Sequence, residues 1–451
     1  MDLTKGSIPK HIIHMSLPTM SGLLLQGLYT LVDMIWIGRI SYEAVAAVTI
    51  FVSILWVFEV ANEIVGMSSV ALISQSFGAG DHVRVQKASE QTLTVKFLVA
   101  SAAALVLCLI LDPVLPIFTK DPAVIEYAKS YGYLSAAALP LFFSSFSVNT
   151  IFRCTGDAKT PMYLLAGAAV INMLLDPILM FDTIPVLGLP GFGLGVFGAA
   201  LATTIAFTSA FLIGFILLLH GTKTVHISWK GLCTFDRELD KKLMVIGLPS
   251  GLEMLFRNLA NSVLLKMIGV YGTAAIAIIG VGMRIYSFVF MPIIGIMLGS
   301  GTIAGQNIGA ERVDRAIETA WYSSLIGGLI TSIFVLLIII FPENVLGLFL
   351  TDITDIQEGV IMLRIIAPSL IIASISQGWA SVFSGSGYTI PFFISCIVAK
   401  WGIMIPYVAL LIYRFHAPLQ YLWYSFILSE VAEMLVLGIA FKQGKWKRKR
   451  V

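Results

Sequence analysis

The sequence predicts an all-α membrane protein, with twelve transmembrane helices in two pseudo-symmetric six-helix lobes. Three observations predict it. Hydrophobic residues make up 58% of the 451 residues and charged residues only 12%, where soluble globular chains carry roughly 25% charged residues. Apolar windows able to cross about 30 Å of hydrocarbon, about 20 helical residues each, recur from end to end. The chain can also be laid over itself at a shift of 231 residues.

The windows fall near 13–37, 44–73, 91–118, 125–151, 162–185, 192–220, 244–270, 274–304, 317–341, 356–384, 390–413 and 419–442. "MDLTKGSIPKHIIHMSLP" reads as a short amphipathic lead-in rather than a signal peptide, because the first apolar segment has the length of a span. The longest polar connection, "HGTKTVHISWKGLCTFDRELDKK" (220–242), separates two sets of six. The expected organisation is an N-terminal lobe over 1–220, a cytoplasmic linker over 221–242, a C-terminal lobe over 243–442 and a basic cytoplasmic tail over 443–451. The shift of 231 puts Leu17-Pro18 on Leu248-Pro249, Ile37-Gly38 on Ile268-Gly269, and "SQSFGAG" (74–80) on "GQNIGAE" (305–311). Phe152 and Gly156 fall on Phe383 and Gly387; one residue is then lost, and Pro161 falls on Pro391. Six is an even number of crossings, so both halves enter from the same side. That is a parallel repeat about an axis along the membrane normal, with a cleft expected between the lobes.

Lysine and arginine set the orientation. With the N-terminus inside, the external loops carry Arg39, Lys120, Lys129 and Arg414, while Lys5, Arg84, Lys230, Arg237, Lys241, Lys242, Arg312 and Arg315 lie inside. Both termini are therefore expected in the cytoplasm of a plasma-membrane protein. The tail "KQGKWKRKR" reads as an anchor to anionic membrane lipid, with no nucleic-acid role expected. Cys108, Cys154, Cys233 and Cys396 lie far apart and suggest neither a disulfide framework nor a metal site.

Chemistry enters with Asp33, set in "YTLVDMIWIG". An ionised carboxylate in hydrocarbon costs several kcal/mol even on lenient scales. The repeat supplies a comparison: Asp33 maps onto Leu264, and Asn172 and Asp176 of span five map near Gly402 and Pro406. Glu59, Asn62 and Glu63 of span two map onto Phe290, Ile293 and Ile294. A requirement of the fold should appear in both copies, so the asymmetry points to function, and intramembrane acids commonly mark ion pathways.

Asn172 and Asp176 are four apart and share a helical face. At 1.5 Å per residue, the windows place Asp176 about 14 Å, Thr203 of span six about 15 Å and Asp33 about 7 Å below the outer surface. Two carboxylates, an amide and a hydroxyl are hard oxygen donors. Such a set suits Na⁺, or a proton shared by two acids whose repulsion raises one pKa. The structural alternative is that each aspartate satisfies neighbouring hydroxyls or backbone within its bundle.

These residues resemble the multidrug and toxic-compound extrusion (MATE) family. "LVDMIWIGRISYEAVAAVTI" is similar to its first-span signature and "SQSFGAGD" to its loop after span two. "FRCTGDAKTPM" (152–162) is similar to the loop after span four, and "NMLLDPILMF…GVFGAALATTIA" to spans five and six. The resemblance covers nearly the whole chain and implies a MATE-like fold. In the DinF-like branch it implies an N-lobe cation site on Asp33, Asn172, Asp176 and Thr203. The NorM-like branch adds carboxylates in spans seven and ten. Here span ten, "SLIIASISQGWASVFSG", has no acid, and span seven has Glu253 beside Arg257. The DinF-like branch is therefore expected.

Glu59 and Glu63, with Asn62 between them, are candidates for a substrate cleft, or for pairing with a base on a neighbouring helix. Glu253 and Arg257, at i,i+4, are further cleft candidates that can instead neutralise one another. Lys400 can snorkel or pair with an acid. No phosphate-cradling Gly-Lys loop, hydrolytic triad or metal-enzyme motif occurs, so no enzyme activity and no cofactor are expected beyond the coupling ion. The expected function is secondary active export of small organic compounds, cationic or amphiphilic, in exchange for Na⁺ or H⁺ by a monomer. The alternatives are a flippase for a lipid-linked sugar precursor, disfavoured by the acid-rich first half, and a ligand-sensing membrane receptor, disfavoured by the duplication.

Overall fold

The computed structural model describes residues 2–185, 187–222, 225–347, 349 and 353–451, with 353–355 described by backbone alone. Lys223 and Thr224 of the expected linker lie outside the described residues. Twelve long helices follow in chain order: α1 (Ile8–Gly38), α2 (Tyr42–Gly78), α3 (His82–Phe118), α4 (Pro122–Cys154), α5 (Lys159–Met180) and α6 (Gly195–His220), then α7 (Arg237–Ile268), α8 (Thr273–Gly309), α9 (Val313–Ile340), α10 (Ile353–Ser386), α11 (Ile390–Phe415) and α12 (Leu419–Gln443). α11 carries wide π-type turns at Ile397–Met404 and Leu410–Phe415. Side-chain caps begin several helices: Ser41 accepts from Ala44 N–H, Asp81 from Arg84 N–H, and Asp121 from Ala123 N–H beside a first-turn proline.

Eleven of these helices are long and apolar enough to cross a membrane. The exception is α7, whose apolar run is interrupted by Glu253, Arg257 and two asparagines. Span five is shorter than its hydropathy suggests and stops at Met180. "FDTIPVLGLPG" is apolar enough to extend the window, but its prolines cannot continue a helix. The segment instead folds back, with a bridge between Thr183 and Pro190 and with Gly191 and Gly198 close against the backbone of 178–181.

The repeat is visible in the backbone. After α2, Ala79, Gly80 and Asp81 donate N–H to the carbonyls of Gln75, Phe77 and Ser76. After α8, Ala310, Glu311 and Arg312 donate to Gln306, Ile308 and Asn307 in the same pattern. Gly80 and its counterpart Glu311 both take positive φ, 75° and 61°, as do Gly156 and Gly387, at 86° and 73°. A left-handed glutamate is uncommon, so the second turn keeps the geometry of the first without a glycine at this position.

The described residues form two compact units, 21–247 and 2–20 with 248–451. The first spans of the two halves therefore each begin in the other unit: Ser16 and Met20 of α1 meet Gly299 and Gly295 of α8, and Gly247 of α7 meets Ile64 of α2. The sequence division at 220 and 243 followed polarity, whereas packing divides the chain within α1 and α7. In the second unit, Asn307 and Arg312 donate to the carbonyls of Leu3 and Thr4, and Arg315 to that of Gly6, fixing the N-terminal segment. The first unit's core runs through Ile37, Phe51, Leu107, Leu111 and Phe143. The second unit's core includes Leu264, Ile293, Leu370 and Trp423.

The linker lies along α3. Glu90, almost fully buried, accepts from the amide and hydroxyl of Ser228; Gln91 donates to Thr234 C=O and Thr94 to Leu232 C=O. Hydrogen bonds to a charged acceptor contribute about 1.5–3 kcal/mol each. Glu90→Ala should therefore speed tryptic cleavage at Lys230 about tenfold or more, read on the purified chain. The tail is also tied down: Trp446 is fully buried, stacks on Phe441 and donates its indole N–H to Phe441 C=O. All four cysteines are free.

Candidate functional site

α1, α5 and α6 bring the first set of candidates together. Asn172 Nδ2 donates to Asp176 Oδ1 and to Thr203 Oγ1, both at 3.2 Å, so these three form one hydrogen-bonded set across α5 and α6. The i,i+4 spacing on α5 makes the Asn172–Asp176 bond possible. Asp33 is 8% exposed, Asn172 1% and Asp176 0%. Asp33 and Thr203 line one cavity of about 170 Å³, walled by Tyr29, Phe51, Phe142 and Phe207.

The shorter α5 corrects the expected depths. Asp176 lies four residues from the end of its helix and Asp33 five from the end of α1, about 6 and 7.5 Å, with Thr203 about 12 Å from the start of α6. Each acid thus lies little more than a turn from the end of its own helix, and the sequence-based offset between them came from extending span five over a loop.

The polar atoms are incompletely satisfied. Asp33 Oδ1, Asn172 Oδ1 and Asp176 Oδ2 are buried acceptor oxygens without a hydrogen-bond partner. Buried acceptors normally find donors, and leaving one unpaired costs about 1–3 kcal/mol, more for a charged group. Among the described residues no three His, Cys, Asp or Glu side chains gather as a transition-metal cluster. The set is two carboxylates, an amide and a hydroxyl, all oxygen acceptors. It is chemically suited to a hard monovalent cation or a shared proton, which would enter as a transported ion.

The second set of candidates sits on α2. Asn62 Nδ2 donates to Glu59 Oε2 at 2.9 Å, and the backbone carbonyl of Asn62 accepts from Lys96 of α3. Lys96, 1% exposed, donates to Asn62 C=O at 2.6 Å. The sequence reading left this lysine unweighed, although a lone base inside "TLTVKFLVASAAALVLC" is itself a signal.

The second unit has buried charge of its own, at other positions. Arg257 bonds Glu253 on the same helix and Glu433 of α12 at 2.9 Å, while Lys400 of α11 bonds Glu430 at 3.1 Å. Tyr286 of α8 donates to Glu430 at 3.4 Å. Glu253 and Arg257 are thus engaged in an ion-pair network. Glu430 and Glu433 are not among the candidates from sequence, because nothing local in "SEVAEM" announces their pairing with the distant Lys400 and Arg257. Both units place polar groups on their first, fifth and sixth spans; in the second unit bases balance most of the acids.

A model of the MatE family matches residues 18–178 and again 249–410. The chain belongs to the MatE family. The two MatE matches begin 231 residues apart, the shift at which the halves superpose in sequence. The chain is 28% identical to the probable multidrug resistance protein YoeA of Bacillus subtilis, over 99% of this chain and 96% of that protein. It is 24% identical to the probable multidrug resistance protein NorM of Thermotoga maritima, over 100% and 96% of the two chains. Its fold matches a solved MATE transporter of the MOP superfamily in an outward-facing conformation, at TM-score 0.89 and 22% identity, over 98% of this chain and 96% of that one. It also matches a MOP superfamily transporter from Pyrococcus furiosus, at TM-score 0.90 and 22% identity, with the same coverage. This MatE chain is an integral membrane transporter of a multidrug-efflux family and not an enzyme.

Proposed function

We propose that this chain is a secondary active antiporter of the plasma membrane, exporting cationic or amphiphilic organic compounds by alternating access. Na⁺ entering at Asp33, Asn172, Asp176 and Thr203 drives export, and H⁺ competes for the same two acids. The observation that supports this reading is the set of three buried, unpartnered oxygens on Asp33, Asn172 and Asp176. Relatives named as multidrug resistance and multidrug export proteins support the cargo class. The acid-free "SLIIASISQGWASVFSG" of α10 favours the DinF-like branch. The excess of lysine and arginine on alternate loops supports a cytoplasmic location for both termini, and the chain acts as a monomer.

Cargo efflux from proteoliposomes, with Na⁺ and proton gradients imposed separately, tests the reading. Either gradient should drive export, Na⁺ the more strongly near neutral pH. Export that ignores both gradients would overturn it. Thr203→Val removes one neutral oxygen from the set. It should raise the Na⁺ concentration for half-maximal export about tenfold while leaving proton-driven export within about twofold, since ligands and their supports typically contribute factors of 10–100 to metal affinity.

A further inference from the structure

α5 and α6 leave a second cavity between them, a groove of about 310 Å³ lined by α5 from Thr160 to Ile171 and by α6 from Ala210 to Leu217. Gly167 opens it, since a Cβ there would meet nothing within 4 Å. Tyr163, Gly167, Ile213 and Leu217 are exposed, so the groove is open from the side. The exposed apolar stripe continues through Val170 and Leu174 of α5 and Ile216 of α6. A water-filled cleft inside a membrane gathers polar groups, whereas an unbroken apolar stripe is the composition of a surface facing lipid.

From Thr160 to Ile171 the groove runs about 16 Å along α5. That is the depth of one leaflet, half of a hydrocarbon core about 30 Å thick. Its polar side chains, Thr160 and Tyr163, lie in the first two turns of α5, and tyrosine is favoured at headgroup level. Lys159 stands four residues before Tyr163, and His220 three after Leu217. Both are exposed, and they extend the two lining faces by a turn towards the same membrane surface. Asp157, the neighbouring acid, is engaged in capping: Oδ1 accepts from the amides of Lys159 and Thr160, and Oδ2 from the Thr160 hydroxyl. The Lys159 ammonium makes no salt bridge among the described residues. The fold itself does not require this arrangement. The register that puts Pro161 on Pro391 puts Lys159, Gly167, Ala168 and Ile171 on Thr389, Ile397, Val398 and Trp401, so the second half has larger side chains and no base there.

We propose that this groove seats one acyl chain of an anionic phospholipid, whose phosphate rests on Lys159 and His220. A chain fits because the groove is apolar, open to the bilayer from the side and one leaflet deep. The headgroup is anionic because a lysine and an imidazole stand at the mouth. In the orientation proposed above, this is the cytoplasmic leaflet. The bound chain ends at Ile171, beside Asn172 of the ion set, and packs between the two helices that carry Asn172 and Thr203.

The test is photolabelling of the full chain in phosphatidylcholine nanodiscs. These carry a trace of phosphatidylglycerol or phosphatidylcholine with a diazirine on one acyl chain, and labelled peptides are read by mass spectrometry. Native peptides covering 160–171 and 210–217 should take the phosphatidylglycerol probe about fivefold more than the phosphatidylcholine probe, the weight of one lysine beside anionic lipid. Gly167→Phe fills the groove and should bring labelling there down to that of the exposed face of α9 at Leu325 and Leu329. If Gly167→Phe does not fold, Gly167→Ile, which carries the second half's residue, takes its place. Lys159→Gln changes only an exposed side chain; it should bring the two probes towards parity and keep the labelling. Equal labelling by both probes in the native chain means ordinary boundary lipid and overturns the proposal. So does labelling that filling the groove leaves intact, or a preference that survives Lys159→Gln. Displacement of the lipid by tetraphenylphosphonium would make the groove a cargo site, and chain-to-chain crosslinks through these peptides would make it an interface between copies; either result also overturns it.

Discussion

Asp176→Asn should reduce ion-driven export at least about 100-fold while leaving expression and folding near native. The substitution keeps the shape of the side chain and can keep the bond from Asn172, because the new amide still offers an oxygen at the position of Oδ1. It then turns an N–H group towards the place where Oδ2 stands without a donor, repelling a cation that the carboxylate would attract. Burying a neutral amide costs less than burying a carboxylate, so stability should not fall. Asp33→Asn, at the cavity wall, should act in the same direction. Drug accumulation in cells expressing each variant measures the loss; full export by both would show that these acids serve packing.

The second large effect concerns stability in the other unit. Arg257 bonds two carboxylates, Glu253 and Glu433, and Glu433 is almost fully buried. Removing one partner of a buried ion pair leaves an uncompensated charge and costs about 3–5 kcal/mol. Arg257→Met should lower the melting midpoint in detergent by roughly 10 °C. Adding Glu433→Gln should recover part of the loss, since the stranded charge goes with it. A midpoint that Arg257→Met leaves unchanged would mean that solvent reaches this network and screens it.

Much of the architecture was legible because lipid imposes simple rules. Spans must be long and apolar, and a duplicated chain repeats its turns, as the matching bonds after Gln75 and Gln306 show. The asymmetric placement of Asp33, Asn172 and Asp176 was equally readable, because the second half offers Leu264, Gly402 and Pro406 for comparison. Hydropathy misjudged the end of α5, where prolines rather than polarity stop the helix and leave Asp176 four residues from its end. Sequence distance hid the tertiary pairings: Lys96 lies 34 residues from Asn62, and Arg257 lies 176 from Glu433. Both contacts exist only once helices pack, and no local periodicity announces them. The passage of α1 from one unit to the other has the same origin, since Gly295 and Gly299 accept its N-terminal half through close backbone approach.

The central claim is that the oxygens of Asp33, Asn172, Asp176 and Thr203 hold the ion that drives export. Equilibrium binding of radioactive Na⁺ to the purified chain, across a range of pH, tests it most directly. The native protein should bind one Na⁺ through this set, with apparent affinity falling as pH drops and protons take the two acids. Asp33→Asn and Asp176→Asn should each abolish that binding. Na⁺ binding that survives both substitutions, or that is absent from the native chain at every pH, would contradict the account.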